Sequence, residues 1–191
     1  MKVDLQPDRP QMALTLSDGS EALLSPLSSQ DRHWLEEGFD ELSVRSRYTR
    51  FGMGVGGLTA NELDYLADVD QRTHVAWGAS VGGNGAGVGR YITIPNTDSA
   101  EVAVTVLDDF QGRGLGTILM RALVGIARHD GIDELVFEIV PDNTATLAKL
   151  SAIGAVTTLV DGLMEGRLVT GEIPKDRLED GFVDVLEKFR S

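Results

Sequence analysis

The stretch "DDFQGRGLG", residues 108 to 116, places Gly112, Gly114 and Gly116 beside two side-chain donors, Gln111 and Arg113. It falls where a strand-like segment gives way to a helical one, and the chemistry this suits is anion binding. Backbone N–H groups in the first turn of a helix have no partner within it, and the helix dipole favours negative charge there. Glycines let a ligand approach that backbone with no Cβ in the way. Leu115 and Thr117 complete the passage into the helix. The segment lacks the lysine and following serine or threonine of a P-loop, and its glycines miss the GxGxxG spacing of a dinucleotide loop. A plain glycine turn, with Gln111 and Arg113 fixing it or facing solvent, is the alternative.

The flanking segments must hold such a loop in place. Upstream, "EVAVTV" (101–106) reads as a strand; downstream, residues 114–129 predict a helix with Leu115, Ile118, Leu119, Ala122, Leu123 and Ile126 toward the core. "DELVFEIV" predicts a further buried strand, and "DNTATLAKLSAIG" a short helix beginning at Asp142 and stopped by Gly154. "AVTTLV" and "GRLVTGEI" form a hairpin about Asp161-Gly162.

Nearer the N-terminus, Met12, Leu14 and Leu16 alternate up to an Asp18-Gly19 turn, which predicts a hairpin. Ser28 and Asp31 open a helix through a capping box. Thr59 and Glu62 open another, with Leu58 and Leu63 at the staple positions. "THVAWGASV" and "VGRYITI" read as strands, joined by a connection holding Gly82, Gly83, Gly85 and Gly87. Arg45, Arg47 and Arg50, with Arg32 further away, invert the local charge and suit either an anionic partner or a solvated helix face. After Pro174, Leu178, Phe182, Val185, Leu186 and Phe189 recur at helical spacing. That amphipathic tail, residues 174–191, is expected to pack on the domain or on a partner subunit, which leaves a homo-oligomer open. The element order gives an α+β (mixed α/β) architecture, a mixed sheet with helices packed against it.

Composition narrows the function classes. A chain of 191 residues suits one domain with a substantial core, here residues 12–173. There is no cysteine, which removes disulfides, thiolate catalysis and cysteine-bound metals, and three histidines give little basis for a metal site or a Ser-His-Asp triad. No metal is expected. The charge of -13, from 30 acidic against 17 basic side chains, opposes nonspecific binding to nucleic acid or an anionic membrane. Apolar runs are too short to span a bilayer, and the N-terminus lacks the apolar stretch of a signal peptide, so the expectation is a cytoplasmic protein.

The pattern QxxGxG in Gln111, Gly114 and Gly116, after a strand and opening a helix, resembles motif A of the GCN5-related N-acetyltransferase (GNAT) superfamily. The likeness continues in "FEIVPDN", with Asn143, and in Gly154. "LSVRSRYTRFG" and "LTANELDYLADVDQRTHVAWGA" resemble the N-terminal part of bacterial Pat-like protein lysine acetyltransferases. The resemblance implies a central, mostly antiparallel sheet splayed around the motif-A strand, and acetyl-CoA as acyl donor. It implies that the backbone at Val104 and Val106 pairs with the pantetheine arm. The pyrophosphate would lie at Gln111, Gly112, Arg113, Gly114, Leu115, Gly116 and Thr117, with Asn143 on the cofactor arm or fixing the splayed chain. Glu101 matches the glutamate of the lysine-acetyltransferase subgroup and is the expected general base toward a primary amine, either a protein lysine or a small molecule. A charged strand end facing solvent is the simpler reading of Glu101. Many family members carry a tyrosine where this chain has Leu150, so no general acid is assigned. Two readings from other classes stay open: a noncatalytic acyl-CoA-binding or sensor protein, and an interaction protein on the same fold.

Overall fold

The structure is a computed structural model that describes residues 9–51, 57–175 and 177–191. Eight strands form one sheet: β1 (Met12–Thr15), β2 (Glu21–Pro26), β3 (His74–Val81), β4 (Asn84–Thr93), β5 (Ser99–Val106), β6 (Glu134–Ile139), β7 (Val156–Val160) and β8 (Leu163–Val169). Their spatial order is β1-β2-β3-β4-β5-β6-β8-β7. Every neighbouring pair is antiparallel except β5 and β6, and the architecture is α+β.

Helices cover both faces. On one lie α1 (Arg32–Glu41), α2 (Val44–Phe51) and α3 (Ala60–Ala67); on the other lie α4 (Leu115–His129) and α6 (Arg177–Arg190). α5 (Thr144–Ala152) follows β6. α4 buries Leu115, Leu119, Leu123 and Ile126 almost completely, each such side chain stabilising by roughly 1.5–3 kcal/mol. α6 packs along α4 and brings fully buried Phe182 edge-on to Trp77 of β3, with ring centroids 5.2 Å apart. Its far end is pinned where Arg190 donates to both carboxylate oxygens of Asp130 (2.9 and 2.7 Å) and to the Gln71 carbonyl (2.6 Å). Tyr91 donates to the same carboxylate at 2.7 Å. Phe182 and Leu186 of this helix are thus buried within its own chain.

Local chemistry sets several boundaries. Thr59 and Glu62 cap α3 reciprocally, with Leu58 packed beside Leu63. Ser28 and Asp31 do cap a helix, but it is a single 3-10 turn, Ser29–Asp31, leading into α1. Two expectations need correction. Only Gly82 and Gly83, with φ of +58° and +77°, make the β3-β4 turn; Gly85 and Gly87 lie inside β4. A Cβ on Gly87 would come within 2.7 Å of the Thr105 carbonyl oxygen, so glycine there serves strand contact. The helix expected from Asp142 begins at Thr144, because Asn143 is its cap and accepts from Thr146 N–H at 3.3 Å.

Candidate active site

The β5-β6 pairing determines where a ligand can enter the sheet. The two strands pair in parallel over only three positions, Ser99 with Glu134, Ala100 with Leu135 and Glu101 with Val136. Beyond Val136, β6 pairs with β8 alone, and the sheet forks. On the opposite side of β5, Leu107 donates to the Ala86 carbonyl and Ile94 donates to Ser99, each at 2.9 Å. With the β4-β5 register, these bonds place the hydrogen-bonded pairs at odd-numbered β5 residues. In an antiparallel ladder the intervening residues turn their N–H and C=O groups the other way. Val102, Val104 and Val106 therefore present backbone polar groups toward the fork, while their side chains pack under α4.

A cleft of about 1380 Å³ opens from this fork to the glycine loop. Gly112 and Gly114 hold φ of +76° and +90°, and Gly114 is the N-cap of α4, whose first turn has no side-chain cap. An added Cβ would meet nothing within 4 Å at Gly112 and only the Ser17 hydroxyl, at 3.9 Å, at Gly114. The loop is thus an open cradle of backbone at a helix N-terminus, and it fits the diphosphate of a coenzyme A thioester. Arg45, Arg50, Arg121, Lys149 and Lys175 line the cleft together with Glu101, Asp108, Glu138 and Glu172, so its charge is nearly balanced in an otherwise acidic chain.

The expected site residues divide by what their side chains do. Glu101, Val104, Val106, Gln111, Gly112, Gly114, Leu115, Gly116, Thr117 and Asn143 all border the cleft. Arg113 does not. Its guanidinium reaches the Asp109 carbonyl (2.6 Å) and the Asp18 carboxylate (3.3 Å) and stacks on Phe110, so it braces the loop from outside. Gln111 donates to the Val106 carbonyl at 3.0 Å and to Ser46 at 3.3 Å. Ser46 in turn donates to Asp108 (2.9 Å), whose carboxylate also accepts from Ser43 N–H (3.0 Å) and hydroxyl (2.8 Å) at the start of α2. Burial works against ionisation of Asp108, but the Ser43 and Ser46 donors outweigh it and hold its pKa below the ordinary value.

Glu101 is exposed and occupies the apex of the fork, in the last β5-β6 pair. Its side chain shares a sheet face with Ala103, Thr105 and, on β4, Arg90, because directly opposed residues of an antiparallel pair point the same way. Leu150 is buried against the cleft, and no tyrosine lines it among the described residues. Of the arginines singled out by sequence, Arg32 pairs with Asp64 at 2.6 Å and Arg47 ties down α1 through the Asp40 and Leu42 carbonyls. Arg45 and Arg50 remain at the cleft. Sequence reasoning missed Arg90, whose place depends on strand register.

A forked sheet joined to a glycine-lined helix N-terminus defines an acyl-CoA-dependent N-acyltransferase. The chain belongs to the acetyltransferase (GNAT) family, whose sequence profile matches residues 33–150, and like its members it uses acetyl-CoA as donor to an amine. It is 34% identical over 125 residues to an acetyltransferase of Pseudomonas aeruginosa, a match covering 63% of this chain and 67% of that one. With the acetyltransferase Pat of Mycolicibacterium smegmatis it shares 36% identity over 119 residues, 61% of this chain and 35% of that protein's length. The GNAT domain of S. lividans PAT superposes with a TM-score of 0.77 at 25% identity, covering 85% of this chain and 98% of that domain. No helix among the described residues is long and apolar enough to cross a membrane.

Proposed function

We propose that this chain transfers the acetyl group of acetyl-CoA directly to a primary amine, with Glu101 as general base. Bound acetyl-CoA supplies a thioester carbonyl as electrophile and a thiolate as leaving group. The observation that carries the reading is the placement of Glu101, an exposed carboxylate at the apex of the fork beside the outward-facing backbone of Val104 and Val106. In this reading, Val104 and the Val106 N–H pair with the pantetheine arm, since Gln111 already occupies the Val106 carbonyl. The backbone from Gly112 to Thr117 holds the diphosphate, and Asn143 keeps α5 capped beside it. Glu101 takes a proton from the incoming ammonium, directly or through water, and frees its lone pair for attack, and the second N–H proton, shed as the amide forms, passes to water. Backbone N–H groups near Val106 offset charge developing on the carbonyl oxygen. Leu150 supplies no proton, so coenzyme A departs as the thiolate. Both a protein lysine, in keeping with the likeness to Pat proteins, and a small amine satisfy these requirements.

The test follows coenzyme A release from the full chain with a panel of primary amines and lysine peptides. Turnover that falls by about 10²- to 10⁴-fold in Glu101→Gln supports the assignment. Tight acetyl-CoA binding without transfer to any amine overturns it in favour of a sensor.

A further inference from the structure

A second, smaller cavity of about 60 Å³ lies under α1, on the sheet face that carries Glu101. Its walls are mostly apolar, with Trp34, Leu35, Phe39, Leu58 and Val88 among them, yet Arg50 and Arg90 also line it. Arg50 and Thr105 border both this cavity and the large cleft, so the two spaces share a wall.

Arg90 is the anomaly. It is 5% exposed, and among the described residues no carboxylate pairs with it. Only Nη1 is engaged, donating to the Leu66 carbonyl at 2.7 Å and to Nε2 of His74 at 3.1 Å. His74 cannot neutralise it: Nδ1 lies 3.0 Å from the Asp68 carbonyl and must donate, while Nε2 accepts from Arg90 and carries no proton, so the ring is neutral. Nε and Nη2 have no partner among the described residues. A buried charge without a counter-ion is costly, and here it stands in a chain with 13 surplus negative charges. A buried guanidinium with open donors in an apolar recess suits a carboxylate, which it grips with two parallel donors; Arg50 beside it already feels the charge of Glu101.

The register adds a distance. Ala103 lies opposite Arg90 and Ile92 opposite Glu101, which makes Arg90 and Glu101 diagonal neighbours on one face, with Cα atoms roughly 7–8 Å apart. We propose that the acetyl acceptor is a small amino-carboxylate, an amino-acid-like molecule whose carboxylate enters this cavity onto Arg90 while its amine faces Glu101. This rests on the acetyl-transfer reading and narrows its acceptor. The cavity shares Arg50 and Thr105 with the cleft, so an acceptor held in the one reaches into the other.

The test uses matched acceptors on the full chain: amino acids, their carboxamides, the corresponding amines without a carboxyl group, and a lysine peptide. The expected result is a kcat/KM about tenfold or more higher for each acid than for its amide. In Arg90→Gln that ratio collapses toward one through the KM of the acid, and Arg90→Lys retains part of it. Equal use of acid and amide by the wild type, or a preference for the lysine peptide, overturns the proposal without any variant. Calorimetric titration of the same amino acids and amides into the full chain, without acetyl-CoA, separates this from the transfer reading. Acid-selective binding that Arg90→Gln abolishes supports the carboxylate site even where no acceptor is turned over, and absence of acid-selective binding overturns it.

Discussion

Gln111 donates its side-chain amide to the carbonyl of Val106 across 3.0 Å, closing the one outward backbone acceptor next to the glycine loop. The motif glutamine therefore acts on the strand and, through Ser46 and Asp108, on α2. It fastens the glycine loop to the helix that carries Arg45 and Arg50. Removing it loosens that joint. Gln111→Ala is expected to raise the KM for acetyl-CoA by about three- to tenfold, the scale of one or two hydrogen bonds of about 0.5–1.5 kcal/mol each. Steady-state kinetics on Gln111→Ala, Ser46→Ala and the double variant check it: a single chain of bonds gives effects that do not add, and strict additivity would contradict the link.

Gly114 holds φ +90° with space around it, so a methyl group there meets strain and almost no collision. Gly114→Ala should cost about 1–2 kcal/mol through the left-handed backbone. The loss should appear in both denaturant unfolding and acetyl-CoA affinity, because the same residue caps α4 and shapes the cradle. An unchanged stability would show that the loop adopts another conformation in solution.

His74 ties stability to pH. Burial first, and then the cation of Arg90, push its pKa down from 6.5 to about 4. As pH falls below the unfolded value, the unfolded chain takes up a proton that the folded chain refuses. The contribution of the neutral ring is therefore complete above about pH 6.5 and is lost progressively down to pH 4, at most about 3 kcal/mol. Urea unfolding at pH 7 and pH 5 should show the loss in the wild type, and a shallower dependence in His74→Gln. An equal slope in both proteins would assign the acid sensitivity elsewhere.

Phe182 fills the core beside Trp77, although it lies in a segment that reads as a tail. Phe182→Ala is expected to cost about 3–5 kcal/mol. A chain ending at Pro174 should lose its cooperative thermal transition, since Trp77 loses Phe182 and the Asp130 carboxylate loses Arg190 together. A truncated chain that melts like the full one would show that α6 is dispensable.

What sequence alone made legible was chemistry that is local. The α3 capping box needs only Thr59 and Glu62 at the right spacing, and the Asp161-Gly162 turn, with φ of +48° and +88°, is a two-residue decision. The glycine loop could be read because its need for bare backbone is written in consecutive residues. Relations across strands were hidden. Gly87 looks like part of a loop until Thr105 is known to lie against it, and Arg90 looks like an ordinary strand cation until register sets it diagonal to Glu101. Arg113 misled for a related reason: proximity to the glycines in sequence does not fix the side of the loop its side chain takes, and Asp18 of the first hairpin turn draws it outward.

The three-rung contact between β5 and β6 also has a consequence for aggregation. Unsatisfied strand edges usually lie at the rim of a sheet, where a second polypeptide can dock and propagate. In this protein an additional such edge opens in the interior, at Val102 to Val106, roofed by α4 and walled by the β6-β8 leaf. It is sheltered from neighbouring chains and still reachable from the cleft, so the adhesive property of an unfinished sheet is open to a small extended molecule and closed to a second polypeptide.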